Sequence, residues 1–177
     1  MSAQSEQARA RIRVDRATGA EPTTVAVVEH IHIAGTAAAS VESVEAIEAI
    51  AGVGLAGDRY ACSRGHYRDD RVSRDLTLIE AEAIEALGRE HGIELAAGAT
   101  RRNLTTRGVE LNGLVGRRFR VGEVLCRGTG LCEPCQYLAD LTGKPLLRPL
   151  VHRGGLRADI LRGGVIRRGD SVRIDDG

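Results

Sequence analysis

The chain has 177 residues and 42% hydrophobic content, enough for one domain with a proper core, which excludes a wholly disordered polypeptide. Aromatic residues make up 2% (Tyr60, Tyr67, Phe119 and Tyr137, with no Trp), so the core is aliphatic and a single-strand nucleic-acid reader built on stacked rings is excluded. With 25 basic and 24 acidic residues the net charge is +1, and no global basic field exists to hold DNA, RNA or an anionic membrane.

Residues 1–22 mix Gln, Ser, Glu and Arg without sustained period and are expected to form a flexible tail, leaving one domain over 23–177. They lack the apolar centre of a signal peptide, and no run approaches a membrane span, so the expected compartment is the cytoplasm. Residues 24–33 (TVAVVEHIHI) predict a strand. Residues 41–50 suit a helix by the spacing of positions 41, 44, 47 and 50, but Val and Ile dominate and Gly52 and Gly54 follow, so strand and helix both remain open.

Gly52, Gly54 and Gly57 match the G-x-G-x-x-G dinucleotide pattern only in letters. Glu42, Glu45 and Glu48 precede them where a buried strand is required, and no amphipathic helix follows, so the glycines are assigned to a tight backbone excursion. The arginine-rich stretch 59–74 is nearly cancelled by Asp58, Asp69, Asp70 and Asp75 and reads as a solvated loop; the functional alternative is that one or two of its arginines turn inward to hold an anion. Residues 77–91 predict the clearest helix, with Ile79, Ala83, Ile84 and Leu87 on one face and Gly92 at its end. Beyond it, β-prone runs over 103–127 are punctuated by Gly108, Gly113, Gly116 and Gly122, as in hairpins of a barrel or small sheet. Residues 134–141 predict a short helix, and 160–174 two strands with turns at Gly163-Gly164 and Gly169-Asp170.

The most informative local feature is Cys132-Glu133-Pro134-Cys135. Pro134 suits the first helical position, which would put Cys135 in the first turn, beside unpaired amides and the positive end of the helix dipole, where the thiolate is favoured. Four cysteines in such a chain are expected to be free, metal-binding or reactive rather than a disulfide framework. Several readings stand side by side: a Cys3His zinc site that adds Cys62 and His66 to the pair, a thioredoxin-like redox pair, two small apolar side chains buried in a turn, or one thiolate, Cys135, that meets a soft metal or accepts sulfur. Arg101-Arg102-Asn103 and His152-Arg153-Gly154-Gly155 could face that thiolate, since arginine forks suit phosphate and glycine lets a ligand approach the backbone.

Taken in order, Gly54 to Tyr60 (GLAGDRY), Leu76-Thr77-Leu78-Ile79, Arg101-Arg102-Asn103-Leu104, Leu114-Val115-Gly116 with Phe119-Arg120-Val121-Gly122, Glu133-Pro134-Cys135, Gly163-Gly164 and Gly169-Asp170 resemble the MOSC domain, the C-terminal domain of molybdenum cofactor sulfurases. The resemblance implies a mostly β, α+β, barrel-like domain with a few helices and with residues 41–50 extended. It also implies a cleft for molybdopterin, in which Cys135 supplies a thiolate to molybdenum and Cys132 is a secondary candidate metal ligand. Arg101 and Asn103 match an R-x-N motif that holds the pterin, Asp58 and Arg59 match a Gly-Asp-Arg signature near the cleft, and Arg102 and Arg153 join the candidate cofactor-binding residues. The implied activity is molybdenum cofactor binding, in a sulfur carrier or in a small molybdenum-dependent reductase of N-hydroxylated compounds. A cysteine desulfurase or an electron-donor protein would be the partner. A non-catalytic domain with a structural zinc at the C-x-x-C motif is the alternative. Pyridoxal phosphate is not supported: the chain is too short for a desulfurase module, and its only lysine, Lys144, lies beside Pro145.

Overall fold

In the computed structural model, residues 25–62 and 75–176 are described, so the tail assigned to 1–22 and most of the arginine-rich loop, His66 included, lie outside the described residues. The chain runs β1 (Val27–Ile33), β2 (Glu42–Val44), β3 (Ala46–Ile50), β4 (Gly54–Leu55), β5 (Leu76–Glu80), α1 (Ala81–His91) and β6 (Leu104–Arg107). It continues with a 3-10 turn (Leu111–Leu114), β7 (Arg118–Val121), β8 (Val124–Leu131), α2 (Gln136–Thr142), β9 (Leu156–Arg162), β10 (Gly164–Arg167) and β11 (Val172–Ile174). Among the described residues no helix is long and apolar enough to cross a membrane.

Eight strands form one sheet in the order β11-β7-β8-β9-β5-β6-β1-β2, and β10-β3-β4 form a second. The fold is mostly β with two helices, as expected, but the large sheet is open, with β11 and β2 as edges, and is not a closed barrel. It nevertheless curls far enough for its seventh strand to touch its first: Val27 bridges Ser171, and Val172 N–H donates to Ala26 O at 2.8 Å. Residues 41–50 are extended, split between β2 and β3, because their β-branched side chains pair in two different sheets.

The helix expected over 77–91 begins only at Ala81, since residues 77–80 belong to β5. Leu76, Thr77, Leu78 and Ile79 are all buried because β5 pairs with β9 on one side and, in parallel, with β6 on the other; α1 is the crossover between the parallel strands. A strand buried on both faces shows a continuous apolar run, and the helical spacing of Ile79 with Ala83 is fortuitous. The stop at Gly92 is as read: its φ of 65° ends α1 in the left-handed region, and Ile93 N–H returns to Leu87 O.

Two apolar clusters result. The larger, including Ile31, Leu78, Leu104, Phe119 and Leu156, fills the curl of the sheet. The smaller, Leu87, Ile93, Leu138, Leu146 and Leu150, fastens α2 and the segment after it onto α1, with Cys135 packed at its margin. Each fully buried leucine contributes about 1.5–3 kcal/mol.

Gly155 enters β9 against β5 so closely that a Cβ would lie 2.0 Å from Leu78 O, and its φ is 110°. Gly155→Ala is therefore expected to cost about 3 kcal/mol, strain and overlap together. Gly113→Ala, with open space around it, should stay within about 0.5 kcal/mol of wild type in the same urea titration. Equal midpoints for the two variants would refute the close approach.

Glu80 Oε1 accepts the Leu111 N–H at 2.7 Å. Burial is the largest influence on this carboxyl and pushes it above its ordinary value, against the pull of that hydrogen bond. A group that protonates more readily folded than unfolded stabilises the fold at low pH, and the contribution fades as pH rises. Glu80→Gln, which keeps an acceptor for Leu111, is expected to gain stability relative to wild type as the pH rises above about 4. A difference independent of pH, measured by urea unfolding, would contradict this.

Candidate functional site

One cavity of about 320 Å³ opens where the starts of β5 and β9, the residues leading into β6 and the end of β8 meet the N-terminus of α2. Its wall includes Arg59, Arg101, Arg102 and Arg157 with both thiols, Cys132 and Cys135. It lies at the seam between the two clusters: Thr77 comes from β5 in the sheet, Leu138 from the small core.

Main-chain carbonyls hold the arginines in place. Arg101 Nη1 donates to Ala39 O at 2.8 Å and Nη2 to Ala37 O at 2.6 Å. Arg102 Nε, Nη1 and Nη2 donate to Gly154 O, Thr100 O and Cys132 O at 2.8, 3.2 and 2.9 Å. Arg157 Nε and Nη2 both reach Leu131 O. A carbonyl orients a guanidinium without cancelling its charge, and among the described residues no carboxylate pairs with Arg101, Arg102 or Arg157. Burial first, then the neighbouring charge of Arg59, pulls the Arg101 guanidinium below its usual value. An incoming anion relieves both effects, which makes this a site built for negative charge.

Arg59 is tied in differently. Its Nη1 lies 3.3 Å from Asp58 Oδ1, its Nη2 donates to Arg101 O at 3.0 Å, and its guanidinium stacks 4.7 Å from the Tyr60 ring centroid. Asp58 is buried beneath, accepting Ala34 N–H and Tyr60 N–H, so it shapes the loop and does not line the cavity.

Asn103 also departs from expectation. Its Oδ1 accepts Thr77 N–H at 3.1 Å and Thr77 O–H at 2.8 Å, and its Nδ2 donates to His32 O at 3.3 Å. The amide thus joins β5, β1 and the approach to β6, and lies behind the cavity wall. Arg153 points away to an ion pair with Glu90 at 2.9 Å and does not line the cavity.

The helix-start argument for Cys135 changes in detail. Pro134 precedes the helix, and Cys135, extended at φ −134°, is the N-cap residue, with its carbonyl accepting Leu138 and Ala139 N–H. All four cysteines are free, Cys62 is exposed, and among the described residues no three His, Cys, Asp or Glu side chains come together to hold a metal. The zinc set with His66 lies partly outside the described residues. Cys126 is a buried core thiol pushed up to about 12 by burial, and is chemically inert.

Sequence reasoning overlooked Arg157, Tyr137 and the role of Glu133. Tyr137 O–H donates to Ala37 O at 2.9 Å, the carbonyl that also receives Arg101. In a chain with four aromatic residues, one beside the cysteine motif was a usable signal. Arg157 gave none, because its direction follows from the kinked entry of β9 at Gly155.

Residues 62–173 match the MOSC domain. No curated protein matches the chain. Among solved structures, the YUAD protein from Bacillus subtilis superposes with a TM-score of 0.70 at 17% identity, covering 85% of this chain and 95% of its own. YiiM from Geobacillus stearothermophilus gives 0.64 at 17% identity, covering 85% and 75%, and YiiM from Escherichia coli 0.63 at 18%, covering 85% and 70%. At those identities the likeness is one of fold, over 85% of this chain. The domain match spans most of the chain, and the protein belongs to the MOSC domain family.

Proposed function

We propose that the protein binds the molybdenum cofactor in this cavity, its phosphate end among the arginines and the Cys135 sulfur, as thiolate, a ligand to molybdenum. The MOSC domain is a family linked to binding of that cofactor. The observation that carries the reading is the wall itself: four guanidiniums, three of them oriented by neutral carbonyls, around a space that a thiol also borders. The donor set fits an anionic group that carries a soft metal. When bound, the cofactor supplies a redox-active metal held by dithiolene sulfurs, to which a protein thiolate is a matched ligand.

The residues divide the work. Arg102 and Arg101 present donors left over after their carbonyl bonds, and Arg59 and Arg157 widen the positive wall. Asn103 and Asp58 hold the strands and loop that carry them. Cys135 is half-buried against the small core, which supports a resident cofactor over a transient sulfur relay needing an exposed sulfur. On this reading the protein is a small reductase of N-hydroxylated compounds fed by an electron-donor protein; a sulfur carrier served by a cysteine desulfurase is the other use of the same thiol.

Expression in a cofactor-competent host tests the proposal. The wild type is expected to carry molybdenum and pterin, and Cys135→Ala to lose the molybdenum while keeping its fold. Equal metal in both, or none in the wild type, refutes it. A persulfide mass on Cys135 after exposure to a desulfurase would transfer the case to sulfur carriage.

Arg102→Ala and Asn103→Ala separate contact from support. Arg102→Ala is expected to weaken cofactor retention by the folded protein about tenfold or more, beside a stability cost of about 1–3 kcal/mol from the three carbonyls left without their donor. Asn103→Ala should lower unfolding free energy by about 1–3 kcal/mol by leaving the Thr77 and His32 groups unpaired, with retention by the folded protein little changed. Loss of retention without loss of stability in Asn103→Ala would place that side chain in the cavity.

A further inference from the structure

Among the described residues Glu133 is the only acidic side chain that lines the cavity. Everything charged around it is a donor: Arg59, Arg101, Arg102 and Arg157 have N–H groups and no acceptor. A ligand that suits the whole wall therefore has two ends, one anionic and one presenting hydrogen-bond donors.

The carboxylate is also built in. His152 Nδ1 donates to Glu133 Oε1 at 2.8 Å, and His152 N–H donates to Oε2 at 2.9 Å. The two bonds grip different oxygens and so set the plane of the group. His152 is itself pinned, since Asn112 Nδ2 donates to its carbonyl at 2.8 Å. Its φ is 59°, and among the described residues the only other non-glycine at positive φ is Arg101, on the cavity wall. Such backbone costs about 1–3 kcal/mol and persists where surrounding structure over-determines it. An exposed ion pair contributes too little to justify that strain by stability alone. An ionised carboxylate accepts at about four positions; the two His152 bonds bridge both oxygens from one side and leave each oxygen an outer position for a single donor.

We propose that Glu133, positioned by His152, is a specificity-determining residue that accepts the exocyclic amine N–H of an aminopyrimidinone edge, at the opposite end of the ligand from its anion. The inference rests on the cofactor reading, because the pterin of that cofactor carries such an edge, and its exocyclic amine can donate to an oxygen that His152 leaves with a free lone pair. His152 makes no contact with the ligand in this arrangement. It fixes the angle at which the carboxylate is presented.

Metal-free probes isolate this from molybdenum chemistry. We compare 2-amino-4-oxopteridine-6-carboxylate with its 2,4-dioxo counterpart, which has the same anion but replaces the amine by an acceptor, in equilibrium binding to the full chain. The wild type is expected to prefer the amino probe by about tenfold or more, the worth of a charge-assisted hydrogen bond. Glu133→Gln should bring the ratio to within about threefold, chiefly through weaker binding of the amino probe. Glu133→Asp, which draws the carboxylate back by one methylene, should also lose preference and serves if the Gln variant folds poorly. His152→Ala should lower the ratio, and His152→Asn, which tolerates the left-handed backbone and keeps a side-chain donor, should restore it. The probes carry no metal, so failure of the molybdenum assignment is separable from failure of this one. Equal binding of the two probes by the wild type, an unchanged ratio in Glu133→Gln, or no binding of either probe overturns the proposal.

Discussion

The structure depends on positive charge being held in place by neutral atoms. Arg101 is buried, adopts a left-handed backbone and carries a guanidinium that burial disfavours. What keeps it there is a set of carbonyls presented by the loop after β1, at Thr36, Ala37 and Ala39. That loop is in turn held from the other side: Ala34 N–H donates to Asp58 Oδ1, Arg59 N–H to Ala34 O, and Tyr137 O–H to Ala37 O. The contacts form a ring from loop to arginine to loop to helix α2, and its members share partners, so the cost of desolvating one cation is spread over three segments. A carboxylate in place of those carbonyls would stabilise the empty site more and would leave nothing for an anion to do.

The thiol enters from a different piece of the fold. Cys135 is positioned by α2, and α2 is fastened to α1 by the small cluster around Leu87, Leu138 and Leu150. The arginines ride on the large sheet and on loops attached to it. The cavity therefore measures how two separately packed units meet, and Leu138, which belongs both to the small core and to the cavity wall, is where that fit is transmitted. Gly154 and Gly155 make the other half of the junction. A Cβ at Gly154 would lie 2.4 Å from Cys132 O, the carbonyl that accepts from Arg102 Nη2, so the small residue lets the cysteine strand and the arginine share one backbone edge.

Much of this was legible in the sequence as residue types and little of it as directions. The arginine–asparagine cluster, the cysteine motif and the glycine punctuation all marked segments that meet at the cavity. Strand alternation would put Arg101 and Asn103 on one face, but the left-handed φ of Arg101 breaks the alternation, and the asparagine turns inward to Thr77 and His32. Pro134 suggested a helix start two residues too early, because proline before an extended N-cap and proline at the first helical position look alike in sequence. In β5, Thr77 to Ile79 look helical beside the Ala-rich run that follows, and only pairing on both sides, which is non-local, makes them a strand.

Arg153 and Glu133 show the same limit at the level of function. Both are charged residues near the predicted site, and by type the arginine was the better candidate for an anion-binding cavity. The fold spends Arg153 on Glu90 of α1 and gives the wall to Glu133 instead, gripped by His152. An anion site with a carboxylate in its wall loses some attraction for simple anions, since the acid opposes the arginines. It gains discrimination, because only a ligand with donors at the right distance from its charge recovers what the acid takes away. That trade is sensible for a cavity that must choose one large two-ended molecule over the inorganic phosphate around it, and it ties the arginines, Glu133 and the strained His152 to a single requirement.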